Sequence, residues 1–521
     1  MQDLAIKLSM LLVFFAVMVG IGLYCRRHAT DVSGFVLGGR SVGPWLTAFA
    51  YGTSYFSAVV FVGYAGQFGW KYGIAATWAG LGNAFLGSLL AWAVLGRRTR
   101  VMTQHLDSAT MPEFFGKRFG SRPLKLAASV IIFIFLIPYT ASLYNGLSRL
   151  FGMAFDIDYS VCVVVMAVLT GVYVIAGGYM ATAINDFVQG IIMIVGIIAV
   201  IAAVLHSHGG FMAALEGLAQ VSDPSVSDAP GVFASFFGPD PAGLLGVVLL
   251  TSLGTWGLPQ MVQKFYAIKS EKSINTGMVI STVFAVIVSG GCYFLGGFGR
   301  LYSGQVNVAA EGYDAIIPTM LSDLSTVLIA IVVILVLSAS MSTLSSLVLA
   351  SSSTLTLDFI KDNLIKDMDE KRQVRWMRAL VVVFIAISVV LAIIQYQSNV
   401  TFIAQLMGIS WGALAGAFLA PFLYSLYWKR TTKAACAASF LFSTVVMLCN
   451  IFFADFFPTL LQSSINCGAF CMLAGLVIVP VVSVLTRAPE QSRLQEIFSC
   501  YDRTVTVTVK DSIGRGGERR K

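Results

Sequence analysis

Charged side chains are scarce in this sequence. Asp, Glu, Lys and Arg make up 12% of its 521 residues, whereas hydrophobic residues make up 57% and the mean hydropathy is +0.82. This composition excludes an ordinary soluble globular protein, in which about a quarter of the residues are charged. It predicts an all-α polytopic protein of the lipid bilayer, because the chain has room for a dozen or more membrane helices of about 20 residues each.

Residues of the kinds that catalysis and disulfide bonding require are also few. An intramembrane enzyme needs a catalytic pair within its spans, but the four histidines lie in loops or at the ends of apolar segments: His28, His105, His206 and His208. We therefore expect no enzymatic activity. Six of the eight cysteines sit in apolar segments, so a disulfide framework is not expected. No GxxxxGK[ST] loop is present, and nothing in the sequence indicates direct use of ATP.

Apolar segments separated by polar residues, Gly or Pro predict thirteen membrane helices. The first segment lacks the basic start and the small-residue cleavage signal of a signal peptide, so we expect it to be retained. The predicted helices span residues 6–24, 43–68, 74–96, 124–150, 160–176, 186–206, 241–258, 276–298, 326–350, 378–395, 401–427, 433–453 and 464–486.

Lys and Arg are distributed unevenly over the loops. If the N-terminus is outside, 30 of the 34 Lys and Arg residues fall in cytoplasmic segments, including a short segment assigned around Lys264, Lys269 and Lys272. Cytoplasmic loops of membrane proteins carry such an excess of basic residues. The pattern predicts a multi-pass protein of the plasma (inner) membrane with a cytoplasmic C-terminus. It also explains the net charge of +8 without a nucleic-acid partner.

A serine-rich stretch lies inside the apolar segment 326–350. Residues 337–349 place five hydroxyl side chains at a depth where a membrane helix has no water: Ser338, Ser340, Ser342, Thr343 and Ser345. One hydroxyl can bond back to its own helix, but five together indicate a polar face turned toward a cavity. Ser338, Ser342 and Ser345 share one helical stripe, with Thr343 beside it. Hydroxyl oxygens suit a small hard cation.

Two other apolar segments are interrupted. In residues 49–63, Gly52 is followed by several hydroxyl side chains, which either let the backbone unwind or allow close helix packing. In residues 251–260, glycines and Pro259 either break the helix or end it at the membrane interface. Unwound backbone is tolerated in a membrane where it lines a cavity or binds an ion. Breaks at matching places in two five-helix halves predict an inverted repeat with its site at the midplane.

An acidic residue, Asp186, begins the predicted segment 186–206 and follows the pair Gly177 and Gly178 on the cytoplasmic side. Two explanations fit this position. The carboxylate attracts a cation that is leaving the protein, or it caps the N-terminus of a helix, where a negative charge is stabilising. The sequence leaves both explanations open.

Four stretches of the chain follow one another as in the sodium:solute symporter family, which the chain resembles from about residue 31 to residue 489. They are VLGGRSVGPW (36–45), IAGGYMATAINDFVQG (175–190), GLPQMVQKFYA (257–267) and MSTLSS (341–346). The resemblance implies a thirteen-helix protein with a five-plus-five inverted-repeat (LeuT-like) core. The expected division is an additional helix in residues 1–30, a ten-helix transport core in 31–428, two helices in 429–486 and a loosely ordered basic cytoplasmic tail in 487–521.

The resemblance also implies a sodium site, with Na+ as the coupling ion. In the family, sodium lies between the broken first core helix and the eighth core helix. The corresponding groups in this chain are the backbone carbonyls of Thr53, Phe56 and Ala339 and the hydroxyls of Ser342 and Thr343. Asp186 takes the place of the family's aspartate on the sodium exit route.

The solute class is inferred from the proline- and pantothenate-type branch of the family, which the chain resembles. Proline carriers have an aspartate where this chain has Tyr55, and aromatic residues where it has Thr251 and Thr255. The GLPQ break and the stretch GRLYSG (299–304) are closer to pantothenate-like carriers. The side chains expected to line the solute pocket are Tyr55, Ser57, Thr255 and Trp256.

We therefore expect sodium-coupled import of a small organic solute by alternating access. The solute classes that the resemblance favours are an amino acid, pantothenate or another carboxylate. One alternative is a symporter for a neutral solute such as a sugar. Another is a membrane sensor or structural protein that has the same fold but does not transport.

Overall fold

A computed structural model describes residues 2–54, 56–155, 158–365, 367–398 and 403–502. Within these ranges the chain is helical, and extended backbone pairs only at two isolated bridges, Val42 with Ile268 and Asp223 with Ser227. The predicted all-α architecture is confirmed.

The α-helices differ greatly in length, from single turns to membrane-spanning rods. In chain order they are α1 (Gln2–Cys25), α2 (Val32–Leu37), α3 (Pro44–Thr53), α4 (Ala65–Tyr72), α5 (Thr77–Gly82), α6 (Arg97–His105), α7 (Met111–Phe119), α8 (Arg122–Phe155), α9 (Tyr159–Ser207), α10 (Phe211–Gln220), α11 (Pro241–Gly257), α12 (Pro259–Ala267), α13 (Lys272–Ala285), α14 (Gly291–Gly296), α15 (Val308–Glu311), α16 (Ile316–Ser322), α17 (Thr326–Thr354), α18 (Lys361–Asn363), α19 (Glu370–Ser398), α20 (Ile403–Tyr427), α21 (Lys433–Phe453), α22 (Thr459–Gln462), α23 (Ser464–Leu485) and α24 (Gln491–Phe498).

Wider and tighter helical turns connect several of these rods. The π-helical segments are Val59–Tyr64, Asn83–Leu90, Trp92–Gly96, Val286–Gly290 and Leu355–Ile360. The 3₁₀ turns are Arg26–His28, Gly38–Arg40, Gly73–Ala76, Val232–Ala234, Gly299–Tyr302, Tyr313–Ala315, Ala454–Phe456 and Ser499–Tyr501.

Ten helices of the described chain are long and apolar enough to cross a membrane, or eleven if the bent pair α11 and α12 is one span. Two of these stretches, Val59–His105 and Tyr159–Ser207, have 47 and 49 residues. Each is about twice the length that one crossing requires. The multi-pass architecture is thus established, whereas the number of thirteen crossings stays a prediction.

Helix α9 differs from the sequence prediction of two helices separated by residues 177–185. It is helical throughout except at Gly178, whose φ of +54° and ψ of −146° are accessible to glycine. A Cβ atom at Gly178 would also lie 2.9 Å from the carbonyl oxygen of Phe35. The predicted start of a span at Asp186 is therefore wrong, since the helix resumes directly after this glycine.

Both predicted interruptions are present. Helix α3 ends at Thr53, and regular helical structure resumes with the π-helical segment Val59–Tyr64. Helices α11 and α12 meet at Leu258 with a bend of 47°. Pro259 opens α12 at a position where its missing N–H leaves no helical bond unmade. All nine residues of α12 are buried, so this segment does not simply end at a membrane interface.

The beginning of the C-terminal tail is ordered by packing, contrary to the prediction of a loose tail. Helix α24 buries Leu494, Ile497 and Phe498 on one face. Arg493 Nη2 donates to the carbonyl oxygen of Lys117 at 2.7 Å. Residues 503–521, including the alternating Thr and Val run, lie outside the described residues.

Helices α4 and α14 approach each other so closely that glycine is required on both. A Cβ atom at Gly69 would lie 1.8 Å from the carbonyl oxygen of Gly296, and one at Gly296 would lie 2.1 Å from that of Ala65. Backbone atoms cannot move aside as a flexible side chain can, so the two helices would have to separate.

We predict that Gly69→Ala lowers stability by about 1–3 kcal/mol because of this overpacking. Gly20→Ala is the matched control, since Gly20 lies in helix α1, where a Cβ atom would meet nothing within 4 Å, and alanine favours a helix. Thermal unfolding of the purified protein in detergent measures both changes. Equal unfolding temperatures for the two variants would contradict the close approach of α4 and α14.

Candidate functional site

The end of helix α3 meets the middle of helix α17 inside the protein. Thr53 is the last residue of α3, and the helix is interrupted directly after it. Ala339, Ser342 and Thr343 form one turn of α17, in a stretch where every residue from Leu335 to Thr354 is buried. A helix that stops in the interior leaves carbonyl oxygens without the usual helical donors.

Hydroxyl groups of α17 take the place of these donors. Ser342 Oγ donates to the carbonyl oxygens of Thr53 and Ala339, each at 3.1 Å. Thr343 Oγ1 donates to the same two oxygens at 3.2 and 3.0 Å. Four of the five predicted ligand groups are thus gathered into one oxygen cluster, which we call the hydroxyl–carbonyl cage.

The chemistry of this cage suits a hard monovalent cation. All four atoms that could bind a cation are oxygens, and the residues to which they belong are at most 2% exposed. The carbonyl at the C-terminal end of α3 carries partial negative charge from the helix dipole. Small hard cations such as Na+ prefer oxygen ligands, so the residues present fit the ion that the sequence analysis predicts. Rotation of the two hydroxyl groups would turn their lone pairs toward such an ion.

Two further predicted residues, Phe56 and Ser57, lie in the interruption of α3. Phe56 is 1% exposed, and its ring lies 6.0 Å from that of Phe284. Ser57 is buried, and its Oγ accepts a hydrogen bond from the Val59 backbone N–H at 3.2 Å. Tyr55 lies outside the described residues. The roles of all three stay predictions.

Thr255 and Trp256 of α11 bind the backbone of a neighbouring helix. Thr255 Oγ1 donates to the carbonyl oxygen of Gly87 at 2.9 Å, and Trp256 Nε1 donates to that of Leu86 at 3.0 Å. Tyr51 OH donates to the same Gly87 oxygen at 2.8 Å. The three side chains hold the π-helical segment Asn83–Leu90 against α3 and α11. A contact with solute at Thr255 and Trp256 stays a prediction.

Asp186 lies within the second part of α9, eight residues beyond the break at Gly178, so it does not cap a helix. Its side chain is fully buried, and its Oδ2 lies 3.8 Å from Nζ of Lys264. The assignment of Lys264 to a cytoplasmic loop is therefore wrong. This residue lies in α12, in which all nine residues are buried, and is 2% exposed.

Two serines were missed by the sequence analysis. Ser346 Oγ accepts a hydrogen bond from Lys264 Nζ at 3.0 Å and lies 2.8 Å from Ser54 Oγ. The sequence could have indicated Ser346, because it lies four residues after Ser342 and residues at this spacing share a helix face. Ser54 lies next to Thr53 at the interruption of α3.

The other hydroxyls of the serine-rich stretch are arranged differently. Ser345 Oγ donates to the carbonyl oxygen of Ser342 in its own helix at 2.9 Å. Ser338 and Ser340 are buried, and within the described chain their hydroxyls have no hydrogen-bond partner. The five hydroxyls therefore do not act as one set, and only Ser342 and Thr343 reach the end of α3.

Comparison with known proteins places this chain in a family. The model of the sodium:solute symporter family matches residues 35–442, which is well over half of the chain. The osmoregulated proline transporter OpuE of Bacillus subtilis is 29% identical over 486 residues, which cover 92% of this chain and 95% of OpuE. The sodium/proline symporter of Staphylococcus aureus is 28% identical over 499 residues, with coverage of 92% and 93%.

A solved structure shares the fold over nearly its whole length. A Na+-coupled sialic acid symporter in a substrate-bound outward-open state superposes with a TM-score of 0.72 at 16% identity. The match covers 93% of this chain and 99% of that chain. On the strength of the family match over residues 35–442, this chain belongs to the sodium:solute symporter family.

Proposed function

We propose that this sodium-coupled symporter imports its solute with a sodium ion bound in the hydroxyl–carbonyl cage. The proposed ligands are the carbonyls of Thr53, Phe56 and Ala339 and the hydroxyls of Ser342 and Thr343. The observation that carries the proposal is the pair of hydroxyls on α17 that both reach the carbonyl at the end of α3. The geometry favours sodium because it offers a buried set of neutral oxygens.

Binding of sodium in the cage would join two parts of the protein that otherwise meet through weak hydrogen bonds. Thr53 belongs to the broken helix α3, whereas Ser342 and Thr343 belong to α17. An ion shared between them favours the arrangement in which α3 and α17 are in contact, and its release favours their separation. Alternating access then follows from rocking of one bundle against the other around the site. Asp186 is proposed to guide the ion on its exit route.

The proposed orientation has the N-terminus outside and the C-terminus in the cytoplasm, in the plasma membrane. Two of the four basic residues that fall on the outer side, Lys71 and Arg300, help to line a cavity of about 500 Å³ together with Asp223 and Asp240. Arg300 Nη1 lies 2.6 Å from Asp223 Oδ2. Hydrogen bonds from Ser225 and Arg300 lower the pKa of Asp223, which keeps the pair ionised. The positive charge of Arg300, one of the exceptions to the charge rule, is therefore compensated by Asp223.

The solute is proposed to be a small organic carboxylate. Two relatives with near-complete coverage are described as transporters of proline, which carries a carboxylate. The side chains proposed to contact the solute are Tyr55, Ser57, Thr255 and Trp256. The proposal includes neither a catalytic reaction nor a nucleic-acid partner.

We predict that Ser342→Ala and Thr343→Ala each raise the sodium concentration for half-maximal uptake by about tenfold or more. The reason is that a hydrogen-bonding or ligating group on an ion contributes about 1.5–3 kcal/mol, and 1.4 kcal/mol corresponds to a factor of ten. Sodium activation of uptake into proteoliposomes measures the effect. Ser353→Ala is the control, because Ser353 is buried in the same helix and its hydroxyl, among the described residues, bonds only to Leu349 and Ala350. Unchanged sodium activation in both cage variants would overturn the assignment.

The solute class is tested by offering radiolabelled proline, pantothenate, a short monocarboxylate and a neutral sugar to proteoliposomes with an inward sodium gradient. We expect accumulation of at least one carboxylate that depends on sodium and is lost when choline replaces it. Unlabelled carboxylates should compete with this uptake, and the sugar should not. Accumulation of the sugar alone would show that the carboxylate proposal is wrong.

A further inference from the structure

A buried ion pair lies beside the hydroxyl–carbonyl cage. Nζ of Lys264 and Oδ2 of Asp186 are 3.8 Å apart, and the two side chains are 2% and 0% exposed. A single charge at such depth is costly, and removal of one partner of a buried pair leaves the other uncompensated. Lys264 and Asp186 are therefore tolerated at this depth because each compensates the charge of the other.

Three helices converge on the ammonium group. Lys264 lies on α12, and its Nζ donates to Ser346 Oγ of α17 at 3.0 Å. The same nitrogen lies 5.2 Å from the centre of the Tyr179 ring, which belongs to α9 together with Asp186. A carboxylate, a hydroxyl oxygen and an aromatic face thus surround one positive charge.

The carboxylate oxygens of Asp186 are able to bind a further ligand. Within the described part of the chain, neither oxygen of Asp186 takes part in a hydrogen bond, and 3.8 Å is too long for one. Carboxylate and hydroxyl oxygens are also ligands for hard metal cations. The ammonium group lies between the Asp186 carboxylate and the Ser346 hydroxyl, and its positive charge takes up the space between them.

Hydrogen bonds connect this position to the interruption of α3. Ser346 Oγ lies 2.8 Å from Ser54 Oγ, and Ser54 directly follows Thr53, whose carbonyl belongs to the cage. Ser346 also lies one helical turn beyond Ser342. The charge of Lys264 is therefore linked through two hydroxyls to the same break that forms the cage.

We propose that Lys264 is a tethered cation, whose ammonium group fills the position between Asp186 and Ser346 and thereby excludes a second metal ion from it. The inference rests on the proposed function, since it takes the cage as the place where the transported sodium binds. With this position filled by the chain itself, Asp186 binds no second metal ion while the cage holds sodium, and one sodium ion serves each transport cycle.

Replacement of the charge tests the proposal directly. Lys264→Met keeps the length of the side chain and removes the ammonium group, which leaves Asp186 uncompensated. Binding of radioactive sodium to the purified protein, without solute, gives the number of ions per chain. We expect one ion in the wild type, two in Lys264→Met, and one again in the double variant Lys264→Met with Asp186→Asn, where the carboxylate is neutral.

Lys264→Arg is the matched control, because it keeps a positive charge and is expected to bind one ion. Thermal unfolding in detergent shows which variants are folded, and Lys264→Gln replaces Lys264→Met if the latter does not fold. One ion in a folded neutral variant, or two ions in the wild type, would overturn the proposal. A wild type that binds no sodium would instead overturn the proposed function, so the two failures are distinguishable.

Discussion

The carbonyl oxygen of Thr53 is the group on which the rest of the site depends. A helix that stops within a membrane exposes backbone oxygens where there is no water, and each must find a partner. Ser342 and Thr343 supply two hydroxyls to this oxygen, and both also bond to the carbonyl of Ala339. Because the hydroxyls belong to α17, the break in α3 is stabilised only while these two helices are in contact.

The second break in the chain supplies the charge beside this site. Beyond the 47° bend at Leu258, the buried helix α12 brings Lys264 to Asp186 on α9 and Ser346 on α17. An ion that binds among neutral oxygens leaves a net positive charge, whereas the pair of Lys264 and Asp186 is already balanced. The two breaks therefore have different roles, one in forming oxygen ligands and the other in positioning a compensated charge.

Local sequence features were sufficient for part of this description. A cluster of hydroxyls inside an apolar segment identified residues 337–349, and small polar residues after Gly52 identified the interruption of α3. The choice of Ser342 and Thr343 within the cluster came from the family resemblance. Features that depend on contacts between distant segments were not accessible. The sequence predicts a loop at Lys264 because three basic residues lie close together there. The tail helix α24 is ordered by contacts with distant segments, among them the hydrogen bond from Arg493 to the carbonyl oxygen of Lys117.

The most direct test of the account is a density map of the protein determined in sodium chloride and again in choline chloride. We predict a peak in sodium alone, in direct contact with the carbonyl oxygens of Thr53 and Ala339 and the hydroxyls of Ser342 and Thr343. Equal density at this place in both maps, or a sodium peak at a different place with the cage empty, would contradict the central claim.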